Sequence, residues 1–302
     1  MASASIAAPA AVRVRQHRVP PWLVSWLQVG PSALILAVFF GIPMLVVLAV
    51  SFFDYGHTQI YPAFIFDNYR ELFQSSITLE LYLNSIKYAV ITWAVTLLLG
   101  FNVAHFLVFH VRSLVWQIGL FLLCTVPFWT SNIIRMISWI PFLGLNGIFN
   151  QALIRTGIVH QPLAFLLFSD FAVILAYVHL FTLFMVVPIF NSMARIDRSL
   201  IEAAFDAGAS RWQVMKEIII PLSKTGIALG SIFVVTLVMG DFFVVKTMSG
   251  GQSASVVSAL STEISGLQFP PAAASAVILV IIVSLMVAGI LRLVDVRREL
   301  SR

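Results

Sequence analysis

The stretch that decides the fold runs from Arg195 to Gly226 and reads RIDRSLIEAAFDAGASRWQVMKEIIIPLSKTG. Leu200, Ile201, Ala204 and Phe205 recur at helical spacing and predict one apolar face on a short helix. Asp197 or Ser199 suits the start of that helix, and Ser199 with Glu202 has the spacing of a capping box. Gly208 suits the position just past its end, where glycine closes helices best. Ser210 and Gln213 form a second capping box. It opens a helix that runs to Pro221 with Trp212, Met215 and Ile219 along one side. The segment therefore reads as two short helices joined at Gly208, with an apolar side that needs a cover. Two covers suit it: the groove of a partner protein, or the headgroups of a lipid surface.

The rest of the chain supplies the membrane. Of its 302 residues, 60% are hydrophobic and 10% charged, and the mean hydropathy is +0.98. Soluble domains hold about 25% charged residues, so much of this chain has the bilayer as its solvent. Six apolar stretches of about 20 residues predict transmembrane helices over Pro31–Phe53, Tyr88–Phe109, Leu114–Ile134, Phe171–Phe190, Thr225–Val245 and Ala272–Leu291. The first is too long for a signal-peptide core and reads as an anchor that stays. A further stretch, Met136 to Ile154, is apolar but carries Pro141, Gly144, Asn146, Gly147, Asn150 and Gln151. It reads as interfacial or re-entrant structure at the outer face.

Charge orients the spans. With a cytoplasmic N-terminus, the segments 1–30, 110–113, 191–224 and 292–302 lie inside. They hold 13 of the 18 basic residues and six of the 13 acidic ones, a net +7 against −2 for the remainder. Arg13, Arg15 and Arg18 flank the first span, and Arg297, Arg298 and Arg302 end the chain. This bias places both termini in the cytoplasm. The pI near 9.7 comes from these loop charges and not from a nucleic-acid-binding face. The expected organisation is a cytoplasmic segment 1–29, a membrane domain 30–295 that includes the loop 195–224, and a cytoplasmic tail 296–302. The single cysteine, Cys124, excludes an intrachain disulfide and a cysteine-rich metal site.

One short motif misleads. Thr247 to Ser255 reads TMSGGQSAS, and SGGQ occurs in the signature loop of ABC-transporter ATPases. No glycine here opens the phosphate-cradling GxxxxGK[ST] pattern that such an ATPase needs. SGGQ also falls outside, between the fifth and sixth spans, and reads as a Gly-Gly turn joining two helices. No HExxH, GxSxG or paired acids appear, so the chain has no catalytic set of its own.

Glu202-Ala203-Ala204, then Gly208, then Ile218-Ile219-Ile220-Pro221 resembles the EAA loop of ABC importer permeases. That pattern is EAA, three residues, Gly, nine residues, Ile, one residue, Leu-Pro; here Ile220 replaces the leucine. The resemblance implies a type I ABC importer (MetI-like) permease fold, an all-α integral membrane protein with six transmembrane helices. It also implies that Glu202, Ala203, Ala204, Gly208, Arg211 and Pro221 couple the spans to a cytoplasmic ATPase. Glu202 would meet a basic residue of that ATPase, and Gly208 would make the bend. The expected partners are an ABC ATPase dimer, a second permease subunit, an external substrate-binding protein and membrane lipid, with no nucleic acid. The chain itself would carry no cofactor, ATP and Mg being bound by the ATPase. IDRSLIEAAFDAGAS (196–210), PFWTSNIIRMISW (127–139), GLNGIFNQAL (144–153) and GDFFVVKTMSGG (240–251) resemble the spermidine/putrescine branch. Ferric-iron, opine and phosphonate permeases look similar. The implied function is solute import through a bacterial inner membrane, with a polyamine as the first candidate. The rival of another class is a stand-alone secondary transporter, which leaves the Glu202–Pro221 pattern unexplained.

Four residues are candidates for the solute path. Asp241, near the outer end of the fifth span, either lines a path for a dication or partners Lys246 or Arg135; acids at membrane depth mark functional sites. Lys246 would repel a polyamine and favours an anionic or zwitterionic solute. Arg135 either anchors at the interface or lines the path. Trp129, with Trp139 and Phe128, either stacks on an ammonium group or belongs to the interfacial aromatic belt. His105 and His179 read as packing or interhelical hydrogen-bonding residues.

Overall fold

The computed structural model describes residues 20–56 and 60–293. The arginines at 13, 15, 18, 297, 298 and 302, and most of the expected terminal segments, lie outside the described residues. The chain divides into two units, 1–47 and 48–302. The first is helical: α1 (Pro21–Leu36) passes through a π-helical turn, Ala37–Gly41, into α2 (Ile42–Val50). No side chain described between 25 and 50 is buried. By length and composition this helix is apolar enough to cross a membrane.

The second unit opens with a short hairpin, β1 (Asp54–Tyr55) paired with β2 (Ile60–Tyr61), and α3 (Asp67–Gln74). Phe52 stacks on Phe64 and meets Phe66 edge-on and Tyr69 at a tilt, and Asn68 donates to the carbonyls of Ser51 and Phe53. α4 (Ser76–His105) runs on through a π-helical turn to His110, 35 residues in all. It begins twelve residues before the expected span, because Ser75 caps it by accepting the Thr78 amide.

The third expected span, Leu114–Ile134, is shorter in the structure. α5 (Leu114–Thr125) tightens into a 3₁₀ turn over Val126–Trp129, where Pro127 has no amide to give. Ser131 then caps α6 (Asn132–Leu143). α7 (Ile148–Arg155) follows after the Gly144–Gly147 turn; of the expected breakers Gly144, Asn146 and Gly147 separate the two helices, whereas Pro141 lies inside α6 and Asn150 and Gln151 inside α7. Together 132–155 are long and apolar enough to cross a membrane by length and composition, whereas Leu114–Trp129 is not.

α8 (Asp170–Met193) is the centre of the core. Beyond it, α9 (Arg198–Asp206), α10 (Arg211–Val214), a π-helical turn over Met215–Ile219 and α11 (Ile220–Leu222) form the expected two-helix segment. At Ser223 the chain bends by 65° into α12 (Lys224–Met239). The fifth expected span therefore stops at Gly240, and α13 (Phe243–Met248) is a separate helix. α14 (Val256–Ser265) and α15 (Phe269–Leu293) complete the fold. Among the described residues, five helices are long and apolar enough to cross a membrane, or six if the bent pair 211–239 counts as one span.

α4, α8 and α12 pack on one another. Within lipid the hydrophobic effect does not drive helices together, so close backbone approach and interhelical hydrogen bonds do the holding. Gly226 and Gly230 lie one turn apart on α12 and meet α8 with no room for a side chain. A Cβ at Gly230 would sit 2.7 Å from the Met185 sulfur, and one at Gly226 would strike the Pro188 carbonyl. Trp93 of α4 donates to Ser231 of α12 at 2.8 Å. Tyr82 donates to the Ser275 carbonyl of α15, also at 2.8 Å.

Candidate coupling and translocation site

The segment 195–224 takes the form its pattern predicts. Asp197, not Ser199, caps α9, accepting the Ser199 amide at 2.9 Å. That hydrogen bond holds the Asp197 carboxyl below the usual carboxylate range. Gly208 has φ +88°, a left-handed conformation that costs a residue with a Cβ about 1–2 kcal/mol. Ser210 and Gln213 make the reciprocal capping box at 3.3 and 2.7 Å. The apolar faces divide in two. Ile201, Ala204, Val214 and Ile219 turn into the core, while Leu200, Phe205 and Trp212 (72% exposed) stay outside with Glu202, Ala203 and Arg211. Pro221 is half-buried, at the bend. Beside this segment an open cavity of about 750 Å³ is lined by Pro188, Asn191, Arg195, Asp197, Leu222 and Gly226.

The path candidates do not form one cluster. Trp129 ends the 3₁₀ turn with 78% of its surface exposed, as an aromatic-belt residue does. Asp241 accepts the Val244 amide at 2.8 Å and the Tyr177 hydroxyl at 3.4 Å. It therefore caps α13, and among the described residues neither Lys246 nor Arg135 forms an ion pair with it. Lys246 is exposed on α13.

Arg135 differs, being 9% exposed. It donates to Asn132 Oδ1 at 2.5 Å, and its Nε is buried without a hydrogen-bond partner among the described residues. Its guanidinium lies 5.7 Å from the Phe128 ring centre, so the cation over that ring is the chain's own. Trp139 donates its indole N–H to His179 Nδ1 at 3.1 Å, the interhelical bond expected of His179. That bond leaves the neutral imidazole's proton on Nε2. Arg135, Trp139 and His179 line two cavities, of about 400 Å³ with Phe128 and Cys124, and about 380 Å³ with Thr130 and Ser138. The larger cavity is walled mostly by aliphatic side chains, such as Leu99, Val103, Leu175 and Val178, with the Arg135 guanidinium and the His179 and Trp139 rings as its polar and aromatic part.

Residues 118–299 match the family described as binding-protein-dependent transport system inner membrane component. The chain belongs to that family. Members are the non-catalytic transmembrane subunits of ABC importers, and ATP is bound by a partner ATPase. This inner-membrane component is 33% identical over 253 residues to the spermidine/putrescine transport system permease protein PotB of Escherichia coli, covering 83% of this chain and 90% of that one. It is 34% identical over 224 residues to the PotB of Haemophilus influenzae (74% and 77%). It is 27% identical over 285 residues to the sulfoquinovosyl glycerol transport system permease protein SmoG of Agrobacterium fabrum (84% and 85%). A solved bacterial alginate ABC transporter, in complex with an alginate pentasaccharide-bound periplasmic protein, shares the fold at a TM-score of 0.71 and 16% identity. The match covers 89% of this chain and 92% of that chain.

One cluster in this permease had no sequence signal. Asp170, the first residue of α8, accepts from Lys87 Nζ at 2.7 Å, Tyr88 at 2.5 Å and Ser253 at 2.7 Å. Ser253 belongs to the TMSGGQSAS stretch, which joins α13 to α14 with Gly250 and Gly251 at positive φ. The three partners come from positions 82 to 83 residues away from Asp170, and no local spacing reveals them.

Proposed function

We propose that this chain crosses the membrane six times with both termini in the cytoplasm, and carries 195–224 as the loop that couples it to an ABC ATPase dimer. The charge bias supports this orientation. One observation carries the coupling reading: Leu200, Phe205 and Trp212 stand exposed around Glu202 and Arg211, on two capped helices bent at Gly208. Exposed apolar side chains rimmed by charge mark a docking surface. Glu202, Ala203 and Arg211 belong to that surface, Ala204 seats its helix on the core, and Gly208 and Pro221 mark its two bends. A second permease, in a heterodimer, completes the path, and an external binding protein delivers solute. ATP-driven closure of the ATPases moves the loop, and the spans alternate between inward and outward access. A stand-alone secondary transporter has no use for this surface.

The solute reading is a polyamine such as spermidine or putrescine, supported by the two PotB relatives and their coverage. A second reading within the same class is an anionic or zwitterionic solute, such as an opine or a phosphonate; ferric iron belongs to the same group of alternatives. It is favoured by Arg135, which lines two cavities with a buried Nε and no carboxylate partner among the described residues, and by exposed Lys246. Asp241 serves the path indirectly, by fixing α13. The test is uptake by the complex expressed from its native operon and reconstituted in liposomes with its binding protein and ATP. Uptake of labelled putrescine, blocked by spermidine, supports the polyamine; uptake only of a carboxylate- or phosphonate-bearing solute supports the second reading.

A further inference from the structure

Arg198, the first residue of α9, lies outside the Glu202–Pro221 pattern, one helical turn before Glu202. Its guanidinium donates to the main-chain carbonyl of Val108 at 2.9 Å. Val108 belongs to the π-helical turn that ends α4 at His110. The last carbonyls of a helix have no following amide to accept, and a cation there also meets the negative end of the helix dipole. The bond therefore joins the cytoplasmic loop to the end of α4. Further back along α4, about twelve residues in from its start, Lys87 and Tyr88 hold Asp170, and Asp170 accepts from Ser253. Twenty residues of helix separate Tyr88 from Val108, about 30 Å at 1.5 Å per residue, the thickness of the hydrocarbon core.

We propose that Arg198 is a positioning residue that fastens the coupling loop to α4, so that displacement of α9 is carried as a rigid shift of α4 to the Asp170 cluster about 30 Å away. Three geometric facts support it. α4 has no proline between its ends and packs on both α8 and α12. α9 also packs on the core through the apolar side chains of Ile201 and Ala204, contacts that lack the directionality of a hydrogen bond. The guanidinium bond has that directionality and resists sliding. The proposal rests on the reading of 195–224 as an ATPase-coupling loop.

The test uses the whole importer, purified from its native operon and reconstituted with its binding protein. Three quantities are read: ATPase retained in the complex, thermal midpoint, and the ratio of ATPase rate with solute-loaded binding protein to the rate without it. For Arg198→Ala the ATPase stays bound and the midpoint changes little, while the ratio falls about fivefold or more, the usual size of a coupling between sites. Arg198→Lys keeps a donor within reach of the carbonyl and recovers part of the ratio. An unchanged ratio in Arg198→Ala overturns the proposal. So does loss of the ATPase from both variants, which makes Arg198 a docking residue. A wild-type complex that retains no ATPase sinks the coupling reading itself, a result distinct from either.

Discussion

Lys87 of α4 and Asp170 of α8 form a 2.7 Å ion pair, and each side chain remains about two-fifths exposed (40% and 41%). Solvent on that scale makes the pair alone worth little, about 1 kcal/mol or less. Asp170 does more, because Tyr88 and Ser253 also donate to it. Asp170→Ala leaves three donors without an acceptor and should cost about 1–3 kcal/mol. Lys87→Met should cost less than half of that. Thermal denaturation of the purified complex in nanodiscs, with both variants side by side, checks the order.

The α8–α12 contact makes a second expectation. Gly230→Val puts a branched side chain where even a Cβ lies 2.7 Å from the Met185 sulfur. Overpacking of this kind costs about 1–3 kcal/mol. Pairing it with Met185→Ala makes room and should recover part of the loss. Melting curves of the two single variants and the double variant measure the coupling between them.

Arg135 separates stability from transport. It is nearly buried and lacks a carboxylate partner among the described residues, so replacement by an apolar side chain of similar length removes a desolvated charge. Arg135→Met should leave the melting temperature unchanged or raise it, while solute uptake falls about tenfold or more. Uptake at the wild-type rate would remove Arg135 from the path. Loss of both stability and uptake would make it structural.

Much of this fold is written in local pattern. Apolar length marks α4, α8 and α15 because a helix in lipid must be apolar along its whole length. Ser210 and Gln213, three residues apart, state their own capping box. The limits of α5 and α12 are less legible. Pro127 and Gly240 end those helices, yet apolar residues continue past both, and hydropathy has no sense of a missing amide or a fresh cap. The site divides the same way. Gly208 is visible because glycine meets a φ no other residue takes easily. Arg198–Val108 and Asp170–Ser253 are invisible, because each joins segments 80 to 90 residues apart through a polar side chain at a helix start whose identity says nothing of its partner. Asp241 is the instructive case. Its depth left open a path role or a partnership with Lys246 or Arg135, and its carboxylate accepts the Val244 amide in the first turn of α13, a bond that sequence spacing alone does not single out.

His179 offers a spectroscopic check on the pocket. Its Nδ1 accepts the Trp139 indole N–H, so His179→Phe leaves that donor unpaired in an apolar setting. Trp139 emission should shift to the blue, read as the difference between spectra with and without a Trp139→Phe background. An unshifted spectrum would mean that water already reaches the indole.

The account turns on the loop meeting an ATPase, and a cross-link reads that contact directly. Cys124 is the chain's single cysteine. In a Cys124→Ser, Glu202→Cys variant, a thiol-reactive benzophenone attached at position 202 and photolysed in native membranes, where it inserts into any C–H bond within reach, should join position 202 to an ABC ATPase identified by mass spectrometry. The yield should change when ATP is trapped. The same cross-link should be lost when Gly208→Asp is added. Formation of no ATPase adduct at position 202, in a variant that still imports solute, would contradict the account.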